Sequence, residues 1–247
     1  MTSWPQGYGL KTFEVIDSTN EEARRLAAAG EPGPIWISAA RQTAGRGRRG
    51  RTWESPSGNL AATLMLRPGR PAGECAQLSF VAAVAACDML RDFAPGTQIW
   101  VKWPNDVLSD GRKIAGILLE SASQGGEPPD WLAIGIGANL ATHPEGTEYP
   151  ATSLKALGAP VPSADDALLH LAAHFAKWYD SWRGEGFAAV RDAWLARAAG
   201  LGTRIRARLA TGETSGVFEG IDDTGALILR ESAGRTRAIA AGEVFFA

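Results

Sequence analysis

The apolar positions of this chain change period several times, and each change marks an element. Ile99, Val101 and Trp103 alternate with Trp100 and Lys102, the two-residue period of a half-buried strand, and Pro104 stops it. Ile35 to Ala40, Asn59 to Leu66 and Trp131 to Gly137 are short apolar runs that read as further strands. Val107-Leu108 and Lys113 to Glu120 flank Ser109-Asp110-Gly111-Arg112, and Asp-Gly between two such runs predicts a hairpin. Ala76 to Phe93 is Ala-rich and mostly apolar, the pattern of a buried helix. Leu168, Leu171, Phe175, Trp178 and Trp182 form one stripe on a helix over Ala164 to Trp182, and another helix is predicted over 187–198. Ser18 with Glu21, or Thr19 with Glu22, has capping-box spacing, so a helix should start there, run through Ala23 to Ala29 and end at Gly30.

After Gly200 the texture changes. Arg204 to Leu209, Ser215 to Ile221, Ala226 to Arg230 and Thr236 to Ala240 are short runs separated by turn residues. They predict a small all-β barrel over 200–247, appended to an α+β domain over 1–199.

Composition narrows the function classes. The 247 residues are 45% hydrophobic and 21% charged, which describes a globular chain with a sizeable core. Twenty-five Lys+Arg against 27 Asp+Glu give a net charge of -2, which disfavours a globally basic nucleic-acid binder and leaves a local basic patch open. The two cysteines, Cys75 and Cys87, form neither a metal-ligand pattern nor a disulfide framework, which fits the cytoplasm. Met1 to Leu10 has no signal-peptide pattern, and apolar stretches such as Leu78 to Cys87 are too short for a membrane span.

Against this balance, Arg41 to Arg51 holds five arginines and no acid. Gly45-Arg46-Gly47-Arg48-Arg49-Gly50 spells G-x-G-x-x-G, but no helix opens there and residue 70 is an arginine, so a dinucleotide fingerprint is excluded. Glycines admit a ligand close to the backbone, and guanidinium groups grip phosphate or carboxylate bidentately. An anion clamp is one reading; a solvated basic loop, or one that touches nucleic acid, is the other. Ordering about eight residues costs on the order of 10 kcal/mol. Gly45 to Thr52 is therefore expected to be mobile until an anionic ligand arrives, with Trp53 closing over it.

Lys102-Trp103-Pro104-Asn105-Asp106 puts a cation at a strand end with an amide and a carboxylate in the turn, and the hairpin brings Lys113 back beside them. Two lysines and one carboxylate could hold a triphosphate and its Mg²⁺, while a hairpin with solvated charges is the alternative. Trp103 reads as core. Gly116, Gly135 and Gly137 weaken strands unless something approaches the backbone closely, and Asn139 is a polar end to its strand. His170 and His174, at i and i+4, read as a solvated helix face without a third ligand. Arg204, Arg206 and Arg208 share one strand face that either touches a ligand or partner or is solvated.

Four segments occur in one order: Asp17-Ser18-Thr19-Asn20, Gln42 through Trp53, Lys102 through Asp106, and Lys113 through Leu118. This series resembles the biotin protein ligases, and Gly220 through Leu227 with Ala241 through Val244 resembles their small SH3-like C-terminal domain. The resemblance implies a class II aminoacyl-tRNA-synthetase-like catalytic domain of mixed sheet and flanking helices. It implies an AMP-forming reaction using ATP, Mg²⁺ and biotin that modifies a lysine of a biotin carboxyl carrier domain, as in acetyl-CoA carboxylase. Residue by residue, Ser18, Thr19, Asn20, Gln42, Gly45, Arg46, Gly47, Arg48, Lys113, Gly116 and Gly135 would meet biotin. Arg48, Arg49, Trp53, Lys102, Asn105, Asp106, Lys113 and Asn139 would meet the nucleotide, with Lys113, Arg48 and Asp106 at the reacting atoms and Asp106 the candidate Mg²⁺ contact. The pattern starts almost at Met1, so the helix-turn-helix and DNA role of longer members are expected to be missing; the resemblance also allows a homodimer. Lipoate-type ligases and acyl transferases share the fold and are the alternative activity.

Overall fold

The computed structural model describes residues 2–123, 128–232 and 234–246. Seven strands form one mixed sheet: β1 (Gly9–Ile16), β2 (Ile35–Gln42), β3 (Leu60–Leu66), β4 (Ile99–Lys102), β5 (Asp106–Ser109), β6 (Arg112–Ala122) and β7 (Trp131–Ala138). Their order in space is β1-β2-β3-β7-β6-β5-β4, with β1 parallel to β2 and the other neighbours antiparallel. The helices are α1 (Thr19–Ala28), α2 (Ala72–Ala76), α3 (Leu78–Phe93), α4 (Ala164–Glu185) and α5 (Phe187–Leu195).

Strand alternation sorts the sheet residues onto two faces. Trp36, Leu64 and Ile134 point into the main core beneath α3 and α4, where the Trp36 and Phe175 rings meet edge-on at 5.8 Å. Their neighbours Ile37, Met65 and Ala133 point the other way, against Ala23 and Ala27 of α1. β3 is thus buried at every position, which is why its sequence shows an apolar run without alternation. The ten-residue α1 covers only part of its face. Further along β7, Gly135 and Gly137 present no side chain, and the uncovered sheet becomes the floor of a cavity.

The second sheet contains β8 (Arg204–Leu209), β9 (Gly212–Ile221), β10 (Leu227–Arg230), β11 (Thr236–Ile239) and β12 (Glu243–Phe246), ordered β11-β10-β9-β8-β12 and antiparallel throughout. It docks on the first through buried contacts. Trp194 of α5 meets Phe218 edge-on at 6.4 Å, and the Trp103 indole N–H donates to Gly225 O at 3.0 Å. The α+β class with a small β C-terminal unit is the observed architecture.

Several local expectations change. The capping box is not made: the Ser18 side chain caps nothing, because its backbone N–H is taken by Asp17 at 2.7 Å while Glu21 and Glu22 pair with arginines and Lys11. The sequence pattern missed β1, whose half-exposed edge position leaves it without clean alternation, and β12. The helix predicted over Ala76 to Phe93 is α3, which starts at Leu78, and Gln77 joins it to the short α2, which the pattern missed. Within the 22 residues Ala72–Phe93 an 18-residue window has a mean hydropathy of 1.3, so by length and composition the stretch suffices to cross a membrane, which Leu78 to Cys87 alone did not suggest. Its apolar surface is instead spent on the core, where Val81, Ala82, Val84 and Ala85 are fully buried. The Asp-Gly hairpin forms as predicted, with Asp110 and Gly111 both at positive φ (47 and 71°).

Candidate active site

One cavity of about 360 Å³ lies on the face that α1 leaves open. Its two ends differ in chemistry.

At the neutral end, the N-terminus of α1 carries a closed set of polar groups. The Gln42 amide oxygen accepts from Thr19 N (2.8 Å) and Thr19 Oγ1 (3.0 Å), and its Nε2 donates to Ser55 Oγ (2.8 Å). The Thr63 hydroxyl lies 2.6 Å from Asn20 Oδ1 and 2.7 Å from Thr19 Oγ1, and Asn20 Nδ2 donates to Glu120 at 2.7 Å. Ser18, Thr19, Asn20 and Thr63 are all buried. These bonds hold amide and hydroxyl groups in fixed orientations, as recognition of a neutral polar ring requires. Gly135 belongs to this end: a Cβ there would overlap Asn20 Oδ1.

At the charged end, β4, β5 and β6 bring the second group of predicted residues together. Lys113 and Asp106 pair at 2.6 Å. Arg48 donates to Asn105 Oδ1 at 2.9 Å, and Asn105 in turn donates to Ile117 O at 2.5 Å. Burial pushes the Arg48 and Lys102 cations below their usual pKa ranges, the Lys102 ammonium lying 4.5 Å from the Tyr149 ring centre. Two desolvated cations facing a cavity favour an anionic ligand. Trp53 lies across Gly137, whose added Cβ would overlap the indole, and Lys113 Nζ sits 5.5 Å from its ring centre. Gly116 is close as well, with Lys113 Nζ 3.0 Å and the Trp53 ring 3.2 Å from where a Cβ would be. The backbone of β6 and β7 is bare here, and the flat Trp53 ring lies against it.

Between the two ends runs the arginine segment. It is a closed hairpin, with Gly47 N donating to Arg51 O (2.7 Å) and Trp53 N to Gly45 O (3.0 Å), turning at Arg49 and Gly50, both at positive φ. Arg46, Gly47 and Arg48 line the cavity, as do Ser18, Gln42, Lys102 and Asp106. Gly45 and Arg49 are not among the lining residues. Gly45 packs beneath the hairpin, where a Cβ would overlap Trp53 O, and Arg49 turns to Glu243 at 3.2 Å. Asn139 lines the cavity, but its Nδ2 is committed to Thr152 O at 3.0 Å.

Sequence reasoning missed Thr63, Ser55, Tyr149 and Glu243. A lone hydroxyl inside the apolar run Ala61 to Leu66 was the available signal for Thr63. Glu243 comes from the second sheet and meets Arg51 at 2.8 Å, Arg49 at 3.2 Å and Arg208 at 3.5 Å, with the Tyr149 hydroxyl at 3.2 Å. Burial pulls its carboxyl upward, but Arg51 and Arg49 prevail and hold it below the usual range. Arg208 also pairs with Glu148 at 3.0 Å, so the predicted arginine face of β8 is partly turned toward the cavity rim rather than wholly solvated. His170 and His174 correct their expectation as well: both are half-buried and both bond Asp92 of α3, a partner distant in sequence.

Residues 12–139 match the Biotin/lipoate A/B protein ligase family, and residues 200–247 match the Biotin protein ligase C terminal domain. A biotin–[acetyl-CoA-carboxylase] ligase of Paracoccus denitrificans is 50% identical over 93% of this chain and 97% of its own length. The bifunctional ligase/repressor BirA of Bacillus subtilis is 36% identical over 92% of this chain and 74% of its own. Among solved structures, a biotin protein ligase from Aquifex aeolicus in complex with biotin and ATP superposes with a TM-score of 0.83 at 26% identity, covering 96% of this chain and 97% of that one. With a cavity built from the motif segments, and matches on both sheets, the chain belongs to the biotin/lipoate A/B protein ligase family and carries the biotin protein ligase C-terminal domain.

Proposed function

We propose that this chain is a biotin protein ligase. It activates biotin with MgATP to biotinoyl-5′-AMP and transfers the biotinoyl group to a lysine of a biotin carboxyl carrier domain, a reading supported by a relative named a biotin–[acetyl-CoA-carboxylase] ligase. The observation that carries this is the two-ended cavity: a neutral hydrogen-bonding nest at α1 and a cationic end at Arg48, Lys102 and Lys113, joined over one glycine floor.

The geometry supports a division of labour. Biotin's ring system is placed against Ser18, Thr19, Asn20 and Gln42, with its carboxylate toward Arg46, Arg48 and Lys113. A carboxylate oxygen attacks the α-phosphorus, the bond to the β-phosphate bridging oxygen breaks, and pyrophosphate leaves. Lys113 and Arg48 stabilise the negative charge that builds on the phosphoryl oxygens, the electrostatic contribution that dominates such transfers. Trp53 offers its ring to the adenine, and Lys102 and Asn105 face the phosphates. The acceptor amine then attacks the acyl carbon, AMP departs, and the amine loses a proton. Asp106 pairs with Lys113 at 2.6 Å beside Lys102 and Asn105, a donor set that suits Mg²⁺, which takes one or two carboxylates and leaves the rest to phosphate oxygens and water. When bound, the ion would offset phosphate charge. A cytoplasmic setting accords with a sequence whose two cysteines, Cys75 and Cys87, are both buried.

Incubation with MgATP, biotin and a purified carrier domain should produce covalent biotin on one carrier lysine, whereas lipoate in place of biotin should produce no product. Arg48→Ala and Lys113→Ala should each reduce biotin-dependent pyrophosphate release at least about a hundredfold, the scale of losing one charge-stabilising group. Near-parental rates in both variants would overturn the site assignment, and lipoylation would overturn the substrate.

A further inference from the structure

A second constellation lies outside this cavity, where α3 packs along α4. Asp92 sits in the last turn of α3, and His170 and His174 stand one turn apart on α4. His170 Nδ1 and His174 Nε2 both reach Asp92 Oδ2, at 2.7 and 2.8 Å. The three donor atoms lie within 4.8 Å of one another, on side chains 25%, 27% and 37% exposed, so the cluster is preformed yet reachable from solvent. The Phe93 ring packs 4.8 Å from that of His170 and helps to orient it.

Two physical features point to a cation. A carboxylate in the last turn of a helix stands at the negative end of the helix dipole, where a positive charge is favoured. And each imidazole turns a different nitrogen, one Nδ1 and one Nε2, onto the same carboxylate oxygen, so that the three donors converge on one point. Zinc bonds of about 2.0–2.2 Å place neighbouring tetrahedral donors about 3.3 Å apart. The two nitrogen-to-oxygen separations need to widen by about half an ångström and the two imidazole nitrogens, within 4.8 Å of each other, to come to the same spacing, within reach of side-chain rotations at a partly exposed site. Two imidazoles and one carboxylate suit zinc, nickel or copper; magnesium and calcium prefer oxygen donors alone.

We propose that His170, His174 and Asp92 form a binding site for a divalent transition metal of the zinc class, which clamps the end of α3 to α4, with water completing the coordination. The site is independent of the ligase chemistry.

The test uses the full chain, free of any polyhistidine tag and stripped with a chelator, titrated with ZnCl₂ alone in a calorimeter. One zinc per chain is expected, with micromolar or tighter affinity. Free zinc at about a hundredfold over Kd should raise Tm by about 5–10 °C. Magnesium without nucleotide should raise it by less than about 1 °C. His174→Gln retains a hydrogen-bonding group toward Asp92, and Asp92→Asn preserves the side-chain shape. Each should weaken zinc binding at least about tenfold and abolish the Tm rise, while zinc-free biotin adenylation stays at the parental rate. Zinc binding no tighter than about 1 mM, or tight binding that survives in both variants, overturns the proposal. Melting of the zinc-free variants shows directly that each remains folded, and either variant suffices for the comparison.

Discussion

Replacing Gly135 by alanine adds one methyl group to the cavity floor and should weaken biotin binding far more than its size suggests. Gly135 lies in β7 opposite Thr63 of β3. A Cβ there would overlap Asn20 Oδ1 and stand 3.0 Å from its Cγ and 3.2 Å from its Nδ2. Asn20 cannot move aside freely. It is 5% exposed, its Nδ2 is bonded to Glu120 at 2.7 Å and its Oδ1 faces the Thr63 hydroxyl at 2.6 Å. Displacing it leaves at least one buried polar group unpaired, at about 1–3 kcal/mol, against which removing a strand glycine returns about 0.5–1 kcal/mol. If the whole penalty falls on recognition, biotin affinity drops by roughly 5- to 150-fold. The net stability loss, up to about 2.5 kcal/mol, would lower Tm by up to about 10 °C. Calorimetric titration with biotin alone gives the first quantity and thermal unfolding the second. Adding Asn20→Ser shortens the obstructing side chain, so the double variant should regain Tm without regaining biotin affinity. Parent-like Tm together with biotin affinity within about twofold of parent would show that Asn20 relocates at no cost, and the nest would not be the rigid element described above.

Gly137→Ala should act on the opposite end: its methyl overlaps the Trp53 indole, a half-buried ring at the end of a hairpin that can swing away. The KM for ATP should rise about tenfold or more while biotin affinity stays within about twofold, measured by pyrophosphate release and calorimetry; the reverse pattern would exchange the two ends. Glu243→Gln removes the carboxylate charge shared by Arg49, Arg51 and Arg208, so trypsin should cut the 45–53 hairpin faster in the variant, and nucleotide should slow the cutting in the parent. Because the Glu243 carboxyl is held below its ordinary range, its contribution is full above about pH 4.3 and is lost as pH falls through the lower folded value. The Tm difference between parent and variant should therefore close only in that acid range, and a difference that does not vary with pH would contradict the ion-pair account.

Much of the site was legible because its chemistry is written in short contiguous segments. Gly45 to Arg51 and Lys102 to Asp106 each combine a turn-forming backbone with charges that have no core role, and three glycines in otherwise good strands announce a close approach. Those signals are local, so they survive in one dimension. The alternation of Ile99, Val101 and Trp103 and the Asp110-Gly111 turn likewise determine a strand and a hairpin without tertiary help. Tertiary structure decided what depends on partners far along the chain. The capping box at Ser18 obeyed the local rule and was still not made, because Asp17 takes the Ser18 N–H and Glu21 and Glu22 find cations. Which face of the sheet stays open follows from the shortness of α1 over β7. Glu243 reaches the arginine hairpin, and Asp92 reaches His170 and His174, only when separate elements pack together. Sequence determined elements and local chemistry because backbone preference and side-chain period act over a few residues. The polar networks were decided in three dimensions, because a buried donor or acceptor must find its partner wherever packing places one.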